Sequence, residues 1–272
     1  DQGTSRMKNP VKARLKAGQI SVGTWVGIGH PDVTERLADL GFDWLTFDIE
    51  HSPLSLETVQ TMMQAMSFTQ TCVPLVRLRW NDPVLIKRVL DIGAYGVIAP
   101  MVNNGQEALS AVRACRYPPA GVRGVGPRRA MLRDPEYLKT ANREILVVAM
   151  VETAEALRNL DEIFAVEGID ACFIGPWDLS MNLGVGPPPP WNDAGFRRTL
   201  KDVVEACRRH GVAPGMHCTT DTVNDAIEMG FRFCAIDSDA SFMVSGAGMA
   251  LKSVQGWKAS RATAIQRETS IE

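Results

Sequence analysis

Two acidic residues stand where they could share a cation. Glu152 in VET and Asp178 in GPWDLS each lie just past an apolar run. Converging carboxylates repel unless a cation or a shared proton intervenes. Mg²⁺ and Mn²⁺ take one or two carboxylates, waters and substrate oxygens, and Co²⁺ is a further candidate. Zinc prefers His or Cys, and neither adjoins this pair. The plainer reading is that Asp178 caps a helix and Glu152 faces water.

His51 follows Asp48 by three residues in FDIEHSP, so it is the candidate general base, with the carboxylate fixing its tautomer. As a lone histidine it could equally be structural. Arg77 in LVRLRWND has the guanidinium geometry to bind a carboxylate or an enolate oxygen, or to pair with Glu50 or Asp48. The lysines are Lys8, Lys12, Lys16, Lys87, Lys139, Lys201, Lys252 and Lys258, and none ends an apolar strand run. A Schiff-base aldolase needs a desolvated lysine in its interior. Any carbanion chemistry in this chain would therefore need a metal, with no organic cofactor expected.

Positioning these groups requires strands that end at one rim. Apolar runs at 21–27, 44–48, 73–77, 96–100, 145–151, 171–174, 213–216 and 233–236 read as strands. Amphipathic stretches at 32–40, 56–67, 83–92, 106–115, 154–166, 193–210 and 220–229 read as helices, with a last one at 240–253. This alternation predicts an α/β fold, a single (β/α)8 TIM barrel; an open doubly wound sheet is the alternative. Active sites of such barrels lie where strands run into the following loops. Asp48, Glu50, His51, Arg77, Glu152, Asp178, His217 and Asp237 all sit at such ends. Two stretches break the rhythm: YPPAGVRGVGPRRAMLR (117–133) and GVGPPPPWN (184–192). They read as long loops at the binding end.

The 272 residues carry 29 basic and 31 acidic side chains, a balance that gives no reason to expect nucleic acid or a membrane surface. The six cysteines form no CxxC pair and read as buried free thiols of a reducing cytoplasm. The expected organisation is an arm at 1–19, with 1–6 left out of the fold reading, a barrel at 20–259 and a tail at 260–272. The polar, basic start lacks a secretory-signal pattern, and a cytoplasmic location is expected.

The blocks FDWLTFDIEHSP, VPLVRLRWNDPVLIKRVLDIGAYGVIAPMV, RYPPAGVRGVG, VETAEALRNLDEI and GIDACFIGPWDLS resemble the HpcH/HpaI family of class II pyruvate aldolases. The resemblance implies metal ligation by Glu152 and Asp178, and a base, His51, supported by Asp48. It gives Arg77 the keto oxygen, and Asp91 contact with a neighbouring subunit's histidine. Gly175, Pro176, Trp177 and Asp178 would line the substrate site. It further implies a homo-oligomer, usually a hexamer, with the last helix exchanged between partners.

The reaction implied is reversible cleavage of a 4-hydroxy-2-oxo acid into pyruvate and an aldehyde. Oxaloacetate decarboxylation of the macrophomate-synthase kind, or CoA-ester cleavage, would use the same enolate; a non-catalytic binding barrel is the remaining alternative. Arg123, Arg128 and Arg129 are expected to receive an acidic substrate tail or to be a solvated charged loop. Three positions depart from the family pattern: Trp177 where Ala is common, Met150 where Gln is frequent, and a polar MHCTT after strand seven.

Overall fold

The computed structural model describes residues 8–69 and 71–254. Eight strands, β1 (Ser21–Val26), β2 (Trp44–Asp48), β3 (Val73–Arg77), β4 (Gly96–Ala99), β5 (Leu146–Val151), β6 (Ala171–Ile174), β7 (Gly215–Cys218) and β8 (Phe233–Ser238), close into a parallel barrel in sequence order. Preceding them is α1 (Pro10–Lys16); α2 (Pro31–Ala38), α3 (Leu56–Ala65), α4 (Pro83–Asp91) and α5 (Gly105–Cys115) follow the first four strands. Next come α6 (Arg128–Arg133), α7 (Tyr137–Glu144), α8 (Ala154–Arg158), α9 (Leu160–Phe164) and α10 (Pro176–Asn182). The order ends with α11 (Ala194–His210), α12 (Val223–Met229) and α13 (Asp239–Ser253).

The helix starts are written locally. Pro31, Pro83 and Pro176 occupy first-turn positions whose N–H would be unsatisfied in any case. Ser55, Asp82, Asn104, Thr153 and Asp193 cap neighbouring starts through their side chains.

Side chains alternate across each strand and make two cores. Trp25, Trp44, Leu75, Val148, Met150, Phe173 and Phe233 fill the barrel, and Val11 and Leu15 of α1 join the same cluster. A second, larger cluster packs the outer strand faces against the helices. Each large apolar side chain buried in this way contributes about 1.5–3 kcal/mol. Gly23 is required because Trp44 lies against it: a side chain on residue 23 would overlap the indole.

The expectations for 154–166 and 117–133 are corrected, and others gain detail. The arm contains α1, whose Asn9 binds Tyr95 and Glu144 carbonyls. The segment 154–166 is two helices, α8 and α9, meeting at Asn159. The stretch 117–133 includes α6. It follows α5, so it lies at the N-terminal ends of the strands rather than at the binding end. There Arg123 is fully buried against Asp91 at 2.7 Å, and Arg129 donates to the Ile92 carbonyl. Neither is available to a substrate at this chain's own strand ends. All six cysteines are free and buried. No described helix is long and apolar enough to cross a membrane. The proposed tail at 260–272 and residues 1–6 lie outside the described residues.

Candidate active site

Asp48 and Arg77 are register partners at the ends of β2 and β3. Arg77 grips the carboxylate with both arms, Nε to Oδ1 at 2.9 Å and Nη2 to Oδ2 at 2.8 Å. Its third nitrogen, Nη1, lies 3.2 Å from Glu50 Oε2. The Trp25 ring stacks against the same guanidinium at 4.7 Å. Burial alone would lower the Arg77 pKa, but the bonds and charge of Asp48, with Glu50 and Glu152, raise it overall. Burial also pushes Asp48 up, and Arg77 with two backbone N–H groups outweighs it, leaving Asp48 below its ordinary value. Both groups are therefore held charged.

Glu152 follows β5 by one residue, and Gly175 follows β6 by one. The register Val151↔Ile174 consequently sets them side by side. Glu152 is 3% exposed. Its Oε1 accepts the Met101 N–H at 2.7 Å, from a backbone held at φ 54°. A non-glycine residue pays to adopt that conformation, which aims the N–H at the carboxylate. Asp178, in the first turn of α10, is exposed at the rim. A side-chain carbon on Gly175 would lie 3.1 Å from Glu152 Oε2 and 3.5 Å from Asp178 Oδ2. The missing side chain thus leaves a gap that both carboxylates border.

Burial pushes Glu152 up to about 7, opposed by the Met101 N–H and reinforced by the charges of Glu50 and Asp178. Burial likewise pushes Glu50 up to about 7, with Arg77 opposing and Asp48 and Asp178 reinforcing. The site concentrates negative charge against one guanidinium. A hard divalent cation relieves that repulsion and fits an all-oxygen pair. Among the described residues no group of three or more His, Cys, Asp and Glu is placed to hold a metal alone. The fit is accordingly to a cation that keeps water or substrate oxygens on its remaining positions.

His51 lies at this rim with its ring mostly exposed, Nε2 3.9 Å from Glu50 Oε2. The expected ring contact with Asp48 is absent among the described residues; Asp48 takes the His51 backbone N–H at 3.3 Å instead, and the ring lies exposed beside Glu50. Pro176 is buried and Trp177 is 55% exposed. Asp91 ends α4 at the opposite end of the barrel, bound by Arg123. Within one chain it does not join the cluster. Trp25 and Met101 carry no site expectation from the sequence, and Glu50 is placed at a strand end there without a role of its own. Glu50 had a signal, its place between Asp48 and His51; Met101 had none, since its backbone does the work. His217 points its Nε2 at the Asp237 carbonyl at 3.0 Å, with its ring 6.2 Å from Trp25. Burial pushes its pKa down.

A closed parallel barrel with buried and exposed carboxylates meeting at the C-terminal strand ends defines the class: an enzyme of the (β/α)8 lyase type. The chain belongs to the HpcH/HpaI aldolase/citrate lyase family, whose model matches residues 21–245. It is 42% identical over 246 residues to a Klebsiella pneumoniae protein named 4-hydroxy-2-oxo-heptane-1,7-dioate aldolase, covering 89% of this chain and 92% of that one. A Shigella flexneri protein of the same name is 40% identical over 270 residues, covering 97% and 100%. The crystal structure of a family member from Burkholderia cenocepacia superposes with a TM-score of 0.84 at 31% identity, covering 90% of this chain and 98% of that one.

Proposed function

We propose that this chain is a divalent-metal-dependent aldolase that reversibly cleaves a 4-hydroxy-2-oxo acid into pyruvate and an aldehyde. The observation that carries this reading is the gap at Gly175 bordered by Glu152 and Asp178, with charged Arg77 in the adjoining cluster. Glu152 and Asp178 would hold Mg²⁺, Mn²⁺ or Co²⁺. When bound, such a cation supplies Lewis-acid stabilisation of the charge that develops on the 2-oxo acid as its C–C bond breaks.

The chain's own residues do the rest. Pro176 has no N–H, so the amides of Trp177 and Asp178 are the donors at the start of α10 and receive the substrate carboxylate. Arg77, fixed by Asp48 and Trp25, donates toward the oxygen that gains charge, without having to reorganise. His51 removes the proton from the substrate's 4-hydroxyl during cleavage and returns it during synthesis. Its solvent-exposed ring suits exchange of that proton with water. Trp177 flanks the aldehyde moiety and favours an apolar or aromatic face there.

The names of the curated relatives support a hydroxy-oxo-dioate as one substrate to try. Assembly into a homo-oligomer, a hexamer by family resemblance, gives partners to Met243, Val244 and Met249, which α13 leaves exposed.

The test measures pyruvate release from 4-hydroxy-2-oxo acids and from oxaloacetate, with Mg²⁺, Mn²⁺ or Co²⁺ and with EDTA. Faster turnover of the hydroxy-oxo acids, lost with EDTA and in Glu152→Ala, is expected. Turnover untouched by both changes would sink the reading. Oxaloacetate as the preferred substrate would favour a decarboxylase.

A further inference from the structure

At the N-terminal face of the barrel, opposite the carboxylate site, lies a cavity of about 800 Å³. Two cationic side chains line it from within: Lys12 and Arg116, each 7% exposed. Lys12 Nζ binds Asp170 Oδ2 at 2.8 Å and the Ile145 carbonyl at 2.9 Å. Arg116 Nη2 turns to the same two groups, at 3.3 Å from the carbonyl and 4.0 Å from the carboxylate. Asp170 Oδ2 also accepts the Val147 N–H. One carboxylate and one carbonyl thus serve two buried cations, and Arg116 Nη1 finds no acceptor.

The outer wall repeats the imbalance. Lys16, Arg113 and Arg143 line the same cavity, with Glu167 as the other acidic residue. Arg143 is paired with Glu144, whereas Lys16 and Arg113 form no ion pair among the described residues. Buried charge is costly unless it is matched, and four unpaired or shared cations facing one cavity favour an anion inside it. Burial lowers the Lys12 pKa, and Arg116 and Lys16 lower it further, even with Asp170 alongside. The aldolase chemistry uses none of these groups.

We propose that this cavity binds a small polyanion bearing two or more carboxylate or phosphoryl groups, held inside by Lys12 and Arg116 and at the mouth by Lys16 and Arg113. Its volume falls in the range of about 300–1,000 Å³ usual for small-molecule sites. A guanidinium fork matches either oxyanion bidentately, and the ammonium adds a point charge. The apolar surfaces of Leu15, Val112 and Ile169 accommodate the carbon frame between the charged ends.

The test is calorimetry and thermal melting of the full-length protein, stripped of metal on a chelating resin and kept in metal-free buffer, which removes metal-dependent binding at the catalytic end without adding a competing polyanion. Succinate and tricarballylate probe the carboxylate source, pyrophosphate the phosphoryl source, and acetate is the monovalent control. Saturable binding of at least one polyanion is expected, with a raised Tm and unchanged in Glu152→Gln. Lys16→Glu/Arg113→Glu should weaken it by about tenfold or more, each tenfold being about 1.4 kcal/mol. Arg116→Met should abolish it; should that variant not fold, the exposed double variant still decides. No saturable binding of any polyanion, equal binding of acetate, or undiminished binding in the double variant overturns the proposal.

Discussion

The Arg77 guanidinium spans two carboxylates at once, bidentate on Asp48 and 3.2 Å from Glu50 through its remaining nitrogen. Asp48 in turn accepts the backbone N–H groups of Glu50 and His51. The fork therefore fixes the arginine and the turn that carries the histidine together. Asp48→Ala leaves a buried guanidinium without its main partner, which costs about 3–5 kcal/mol. A drop in Tm on the order of 10 °C is expected by calorimetry, together with loss of turnover.

Arg77→Lys separates charge from geometry. The ammonium keeps the charge but cannot make the fork or lie flat on Trp25. With the oxyanion donor misplaced, kcat should fall by about 100-fold or more. Steady-state kinetics showing a change in KM alone would contradict that role.

The proposed ligand Glu152 and its neighbour Glu50 predict a pH response in two opposite directions. Glu152 and Glu50 are raised to about 7, first by burial, against an ordinary 4.5. Their neutral folded forms contribute stability that is complete below the unfolded pKa and is lost as pH rises through about 7. Melting of metal-free protein should thus show this contribution declining from about pH 5 to above about pH 7. Cation affinity should rise over the same interval, because ligation needs the ionised carboxylates. Affinity flat with pH, measured by titration calorimetry, would count against Glu152 as a ligand.

Trp177→Ala should leave pyruvate handling nearly unchanged and alter the aldehyde. Removing an indole beside the acceptor predicts a KM increase for aromatic or apolar aldehydes and improved use of bulkier ones. A panel of aldehydes with pyruvate in the synthetic direction reads this out.

Gly175→Ala adds one carbon 3.1 Å from Glu152 Oε2 and 3.3 Å from Met150 Cε. The backbone there, at φ −87°, accepts alanine. Stability should therefore change little while metal affinity falls by about tenfold or more, as the new carbon fills the gap and pushes the Glu152 carboxylate aside.

The strand ends were legible because each is an apolar run closed by a polar residue: 44–48, 73–77 and 171–174 match β2, β3 and β6 to the residue. That periodicity also put Asp48 beside Arg77 and Glu152 near Asp178, since parallel register turns strand ends into neighbours. The end of the barrel on which 117–133 lies was also readable, as a segment after a helix and before a strand must sit at the strand N-termini. Its Gly, Pro and Arg content reads as loop and masks the six-residue α6. The Asp48–His51 contact failed for another reason: spacing says which groups are close, and the direction each side chain takes says which of them bond. Asp48 bonds the Arg77 fork and the His51 backbone N–H, and the imidazole lies beside Glu50. Met101 was invisible because an amide N–H has no letter of its own.

Gly175 has a consequence for how this chain can vary. Every amino acid reachable from a glycine codon by a single base change carries a Cβ, so each such replacement intrudes on the gap between Glu152 and Asp178. Any base change that replaces the residue therefore meets selection at once, although glycine contributes no functional group. A mutational scan scored on activity should find position 175 as intolerant as the carboxylates, and one scored on folding should find its alanine variant nearly silent.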